Sequence, residues 1–371
     1  MKQLILGIMG AALLFSPADD VYYMLVGTYN SEKSEGIYVY RFNSSDASVE
    51  EVSHVNASNA SYLAVAPGGK YVYATNENGK DDNGGEVSAY SFDKKSGRLT
   101  FLNKQLSGGD HPCYVEIDRT GKWVIVGNYS SGTLSVLPVN TDGSLGTAIQ
   151  TIHHQGAGVN KKRQDKPHVH CTILSKDNKW LFVPDLGIDK VMIYAFDEKK
   201  GKLSPSNQQF AETVGGSGPR HFIIHPTNRQ AYLVEEMTGT ISVYDYQDGK
   251  LESRQRISML PGEFKGAIGA ADIHISPDGH FLYASNRGDA NDISIFSVNQ
   301  VNGQLTLLGN QSTLGKSPRN FSLDPSAKYL LAANQSSNEI VIFYRDEKSG
   351  LLTDSKKRIE VGKPVCIKWI P

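Results

Sequence analysis

One hairpin-like stretch recurs along this chain, and its recurrence limits the fold more than any other feature. "ASYLAVAPGGKYVYATNE", starting at Ala60, returns as "PCYVEIDRTGKWVIVGNY" from Pro112 and "PHVHCTILSKDNKWLFVPDL" from Pro167. It returns again from Pro219, Ala271 and Pro318, and a truncated copy, "PVCIKWIP", starts at Pro364. Each copy is an apolar run, a turn such as "SPDG", and a second apolar run ending in a polar residue, the pattern of a β-hairpin. A third run with period-two alternation follows, as in "GEVSAYSFD" and "GTISVYDYQ". Six units then carry a "GxL" turn leading into a fourth strand, as at Gly97-Arg98-Leu99. Four strands per unit, seven units and a period near fifty specify an all-β, seven-bladed β-propeller with four antiparallel strands per blade. The final copy supplies only a first strand, and "YYMLVGTYN" near the N-terminus only a second. The C-terminal strand is therefore expected to pair with the N-terminal strands and close the ring.

Residues 19–371 read as that single domain. Ahead of it, Lys2 precedes the apolar run Leu4 to Phe15, and Ser16 and Ala18 fit a small-x-small cleavage site. Twelve apolar residues are too short to span a bilayer, so residues 1–18 read as a signal peptide and the protein as exported to a periplasm; a cytoplasmic location is the alternative. The formal net charge is -1, from 38 basic and 39 acidic residues, which gives no electrostatic reason for a nucleic-acid or membrane partner. Cys113, Cys171 and Cys366 are too widely spaced for a metal-ligand pair or a disulfide framework.

The start of a first strand and the end of a second should meet at the mouth of the central channel. Aligned by the repeats, strand-two ends read Thr28, Asn76, Asn128, Asp185, Glu236, Asn286 and Asn334. Asn and Asp are ordinary turn-formers there; Glu236 is not. Strand-one starts read Ser61, Cys113, His168, Arg220, Asp272, Arg319 and Val365, and two residues on come His170 and His274. Polar groups thus concentrate in the units starting at 167, 219, 271 and 318, with Arg287 beside Asn286. Arginine forks suit a carboxylate or phosphate, so Arg220 and Arg319 imply an anionic small molecule. Histidine suits general-base work near neutral pH. Apart from Cys113, whose own blade supplies no base, no serine or cysteine in these columns sits where a nucleophile would need an adjacent base, so attack by water fits better than a covalent route. Three histidines with Asp272 and Asp185 could instead hold a metal, but no tight ligand motif is present. No metal and no cofactor is expected.

The stretches "KKRQDKPHVH", "VPDLGIDKVMIYAFD", "GSGPRHFIIHP", "ADIHISPDGHFLYASNRG" and "SPRNFSLDPSAKYLLAANQ" resemble the seven-bladed lactonase family. That family includes propeller-type 6-phosphogluconolactonases, with carboxy-cis,cis-muconate cyclases as relatives. The resemblance implies hydrolysis of 6-phospho-D-glucono-1,5-lactone to 6-phosphogluconate in the pentose phosphate pathway. It places the family's polar cluster at His168, Arg220, Glu236 and Arg319. On this reading His168 (or His170) is the general base, Arg220 stabilises the oxyanion, and Glu236 orients the base or helps protonate the leaving alkoxide. Arg319, with Arg287 or lysines of the "NKKRQDK" loop, would hold the phosphate or carboxylate, and His170, His274, Asp272 and Asp185 would complete the substrate site. Glu235 beside Glu236 leaves open which carboxylate enters the site. A lactonase for an unphosphorylated sugar lactone, a lactonising cycloisomerase and a non-catalytic binding propeller are the alternatives. A monomer or weak homo-oligomer is expected.

Overall fold

The computed structural model describes residues 20–82, 84–227 and 229–371; the signal-peptide assignment lies outside these. The strands form seven four-stranded antiparallel sheets, each running in order from an inner to an outer strand. Blades 1 to 6 are continuous segments: 63–106, 112–153, 173–212, 219–258, 270–312 and 318–360. Blade 7 is shared between the chain ends. Its inner strand, Pro364–Ile370, pairs with Val21–Thr28 from Tyr23↔Ile370 to Thr28↔Pro364. Gly36–Asn43 and Ser48–Asn56 complete it. Among the described residues no helix is long and apolar enough to cross a membrane.

Hydrophobic patterning follows position in the blade. Second strands lie between neighbouring blades and are buried along their length, as in Phe281–Asn286 and Tyr329–Asn334. They accordingly read as continuous apolar runs. Outermost strands such as Arg98–Leu106 alternate exposed and half-buried positions because one face meets water. The "GxL" glycines tie adjacent blades. Gly201 and Gly249 adopt φ values of 64° and 77°, which only glycine holds without strain. A Cβ at either would collide with the indole of Trp123 or Trp180 on the preceding blade.

Seven equivalent backbone hydrogen bonds fix the inner register. The N–H groups of Tyr29, Glu77, Tyr129, Leu186, Glu236, Arg287 and Gln335 donate to the carbonyls of Lys363, Asn59, His111, His168, Gly218, Gly269 and Ser317. Two residues beyond each of those carbonyls comes a second ring: Val365, Ser61, Cys113, His170, Arg220, Ala271 and Arg319. Four of these, Val365, Cys113, Arg220 and Arg319, are the extra residues of β-bulges, inserted where Pro364, Pro112, Pro219 and Pro318 pair with Thr28, Asn128, Glu235 and Asn334. A bulge re-aims its side chain out of the pleat; here Cys113 and Arg319 line the channel mouth and Arg220 packs beneath it.

Candidate active site

A cavity of about 180 Å3 opens at that mouth, lined by Glu77, Cys113, Tyr129, Arg163, His170, Glu236, Arg287 and Arg319. Its lining comes from blades 1 to 6. Blade 7 adds Tyr29, whose hydroxyl donates to Glu77 at 2.8 Å and whose ring lies 5.3 Å from the Arg319 guanidinium. The site therefore encircles the channel rather than occupying the one side that the uneven spread of polar residues implies.

Glu236 is its electrostatic centre. One carboxylate oxygen accepts from Arg163 at 2.6 Å; the other takes Arg220 Nε at 3.0 Å and Arg287 at 3.0 Å. Burial alone would raise this carboxyl, but the charges of Arg287, Arg220 and Arg163 overcome it and hold the pKa at about 2. Glu236 is thus a fixed anion at neutral pH and does not supply a proton. It orients guanidiniums, not an imidazole. The open choice between the two glutamates is resolved by packing: Glu235, fully buried, accepts from Ser242 at 2.7 Å and Arg256 Nε at 2.8 Å, behind the site. It is also Glu235, not Glu236, that ends the strand Gln230–Glu235 and falls in the column with Asn286 and Asn334.

Arg220 does not reach the cavity. Its side chain is 1% exposed and its donors are engaged by Glu236, by the Ala271 carbonyl at 2.5 Å and by His221 Nε2 at 3.3 Å. It positions Glu236 from beneath; the guanidiniums that face a substrate are those of Arg163, Arg287 and Arg319. Arg319 also approaches Glu77 at 3.8 Å.

The two histidines of "PHVH" do not share one strand face. Only Val169 bridges to Asp185 there, and the inner strand of blade 3 shrinks to Ile173–Leu174. They flank Tyr129 instead. His168 stacks on the ring at 4.5 Å, and His170 meets it edge-on at 5.4 Å. His168 Nδ1 donates to the Tyr129 carbonyl at 3.0 Å, its Nε2 looks toward Asp165, and it is absent from the cavity lining. His170 lines the cavity. Burial, then the charges of Arg220, His221 and Arg319, holds its pKa well below the usual imidazole value, so it is neutral at physiological pH. Its Nδ1 lies 3.7 Å from Cys113 Sγ, and among the described residues no hydrogen bond engages Nε2. The next blade thus gives Cys113 the imidazole that its own blade lacks, yet burial pushes the thiol up, so no thiolate nucleophile forms.

Three further residues read as substrate contacts lie elsewhere. Asp185 is fully buried and holds the His168 backbone N–H at 2.7 Å, the Gly187 N–H at 2.9 Å and His154 at 2.7 Å. Asp272 lies one position deeper than the cavity ring, accepting from His221 Nδ1 at 2.7 Å, His274 Nε2 at 2.9 Å and the Asn320 amide. His274 packs on the edge of Phe321, further down the channel. These groups brace the inner ring. Conversely, Glu77 and Tyr129 line the cavity although the strand-end columns passed over them. Reading one residue past each strand end gives Tyr29, Glu77, Tyr129, Leu186, Glu236, Arg287 and Gln335, and that shift was the available signal.

The brace under the site carries a pH expectation. Burial, then the Arg220 charge, lowers His221 to about 4, against the attraction of Asp272. Its unfolded value is near 6.5, so the unfolded chain binds the extra proton between those limits. Stability is therefore complete above about pH 6.5 and is lost as pH falls toward 4, by roughly 3 kcal/mol from this group. Urea unfolding midpoints at pH 7.5, 5.5 and 4.5 check this; a His221→Gln protein should show a flatter profile.

A family model described as "Lactonase, 7-bladed beta-propeller" matches residues 23–369. A 6-phosphogluconolactonase of Formosa agariphila is 38% identical over 91% of this chain and 97% of its own. One from Bacillus subtilis is 36% identical over 93% of this chain and 97% of its own. The solved structure of a Pseudomonas aeruginosa periplasmic gluconolactonase superposes with a TM-score of 0.91 at 38% identity, covering 95% of this chain and 99% of that one. With the ring, the register and the polar mouth in agreement, the chain belongs to the seven-bladed β-propeller lactonase family and is a hydrolase of the lactonase class.

Proposed function

We propose that this protein opens a six-carbon sugar lactone, 6-phospho-D-glucono-1,5-lactone first among candidates, by water attack assisted by His170. One observation carries the reading. Three guanidiniums, those of Arg163, Arg287 and Arg319, line the cavity against two carboxylates, those of Glu77 and Glu236, with the Arg220 guanidinium buried beneath Glu236, so positive charge is in excess beside a neutral imidazole. Such a site favours the oxyanion of a tetrahedral intermediate and an anionic product. His170 Nε2 takes a proton from water as its oxygen attacks the lactone carbonyl. Arg287 or Arg319 holds the oxyanion. As the intermediate collapses, the ring C–O bond breaks and the imidazolium returns its proton to the departing alkoxide; the product is a hydroxy acid that ionises. Glu236 and Arg220 keep Arg287 in place. Because His170 remains neutral through the physiological range, the rate should be flat around pH 7 and fall only in acid.

The similarity to a periplasmic gluconolactonase, with the apolar segment at residues 4–15, supports a second reading: an exported enzyme acting on the unphosphorylated lactone. The test for both is loss of lactone after subtracting spontaneous opening, with wild type, His170→Ala and His168→Ala compared on each lactone. Removal of a general base should cost on the order of 100-fold or more, and more at His170 than at His168. Equal losses would move the base back to His168. A wild-type rate equal to background on both lactones would sink the reading.

A further inference from the structure

We infer that Arg163 is an exchangeable cation: it neutralises Glu236 while the cavity is free and turns to a second anionic group, a phosphate at the far end of a bound sugar acid or lactone, when one is present. This rests on the lactonase reading and names the subsite that would set substrate class. Glu236 has three guanidinium partners where one would balance its charge. Two are fixed: Arg220 is 1% exposed, and Arg287, at 20%, also donates to the Gly269 carbonyl at 3.1 Å. Arg163 is 46% exposed and has one further contact, a long one of 3.4 Å to the Tyr129 hydroxyl. Withdrawing it leaves Glu236 still doubly paired, so release is electrostatically inexpensive, whereas release of Arg220 would strand a buried charge.

The segment bearing Arg163 is built to keep it at hand. The next residue, Gln164, is fully buried, and its side-chain amide donates to the Leu186 carbonyl at 2.8 Å and Asp189 at 2.7 Å. Asp189 also accepts the Gly216 and Gly218 N–H groups at 2.7 and 3.0 Å, just before Arg220. The base of the loop is thereby pinned to the strand that carries the buried half of the site, while the Arg163 side chain beside it stays half-exposed. Lys161 and Lys162 beside it are exposed, and among the described residues neither forms an ion pair, so this edge of the loop is cationic. A phosphate meeting this edge gains a bidentate partner, while a neutral sugar hydroxymethyl gains none.

The test compares wild type with Arg163→Ala, an exposed substitution that leaves Gln164 and its anchors intact. The kcat/KM ratio of phosphorylated over plain gluconolactone should fall at least tenfold in the variant. Calorimetric titration with 6-phosphogluconate and with gluconate provides a second arm that needs no turnover. There the preference for the phosphorylated acid should fall by a similar factor, and Arg163→Lys should restore part of it. Ratios unchanged within twofold in both arms would overturn the subsite. If wild type hydrolyses neither lactone but binds 6-phosphogluconate through Arg163, the lactonase reading fails and the subsite stands. If it binds neither acid, both fall.

Discussion

Glu236→Ala should abolish lactone hydrolysis and also destabilise the ring by about 3–5 kcal/mol, the usual consequence of removing one partner of a buried ion pair. The reason is Arg220. Its guanidinium is out of reach of water, and Glu236 is its only carboxylate partner among the described residues. Taking the carboxylate away leaves that cation with a carbonyl and an imidazole. Glu236→Gln keeps the shape and one acceptor, so it should recover part of the stability but not the activity, because Arg287 and Arg163 then repel one another across a neutral group. The double variant Glu236→Gln with Arg220→Met removes the stranded charge altogether. Its unfolding midpoint should return toward wild type while its rate stays at background. Urea unfolding and lactone loss measured on the same four proteins separate the two effects. Parallel recovery of rate and midpoint would mean that Glu236 acts only through folding.

The second large effect lies at the ring closure. Deleting residues 364–371 should leave no cooperative thermal transition. The deleted strand buries Val365, Cys366, Ile367 and Ile370 at 0–4% exposure and covers the inner edge of Val21–Thr28. At about 1.5–3 kcal/mol per fully buried apolar side chain, the loss is on the order of the whole stability of a typical domain, roughly 5–15 kcal/mol. Circular dichroism melts of the truncated chain check this. Adding a peptide of residues 361–371 should restore a transition whose midpoint rises with peptide concentration. A cooperative melt without peptide would show that six blades suffice.

The architecture was legible because each inner hairpin writes itself twice, as two apolar runs around a turn, at nearly constant spacing. Even the split blade could be read from the lone strand at Pro364. The site was legible in its residue types and less so in its register. Arg220, Arg319, Arg287, Glu236 and His170 stood out because arginine, glutamate and histidine interrupt apolar strands. But the bulges at Cys113, Arg220 and Arg319 add a residue that no period-two pattern announces, and blade 3 barely forms its inner strand. Counting from Pro167, two residues ahead of the position that matches Pro112 and Pro219, set His168 where His170 stands, and counting from Ala271 instead of Ala270 set Asp272 where Ala271 stands. Arg163 was hidden differently. It lies in a charged surface loop that resembles any solvated turn, and only the pinning of Gln164 distinguishes it.

The shared blade has a consequence for the order of events during synthesis. Among the described strands Val21–Thr28 is made first, yet its inner partner, Pro364–Ile370, is made last. Until Pro364–Ile370 is made, that first strand keeps an unpaired edge, the feature that invites pairing with another chain. Contacts between residues so far apart in sequence also form slowly. Six blades can assemble as they emerge, but the ring can lock only once Pro364–Ile370 is available to pair. The vulnerable species for this protein is therefore a nearly finished, open ring, and anything that delays the last few residues lengthens its life.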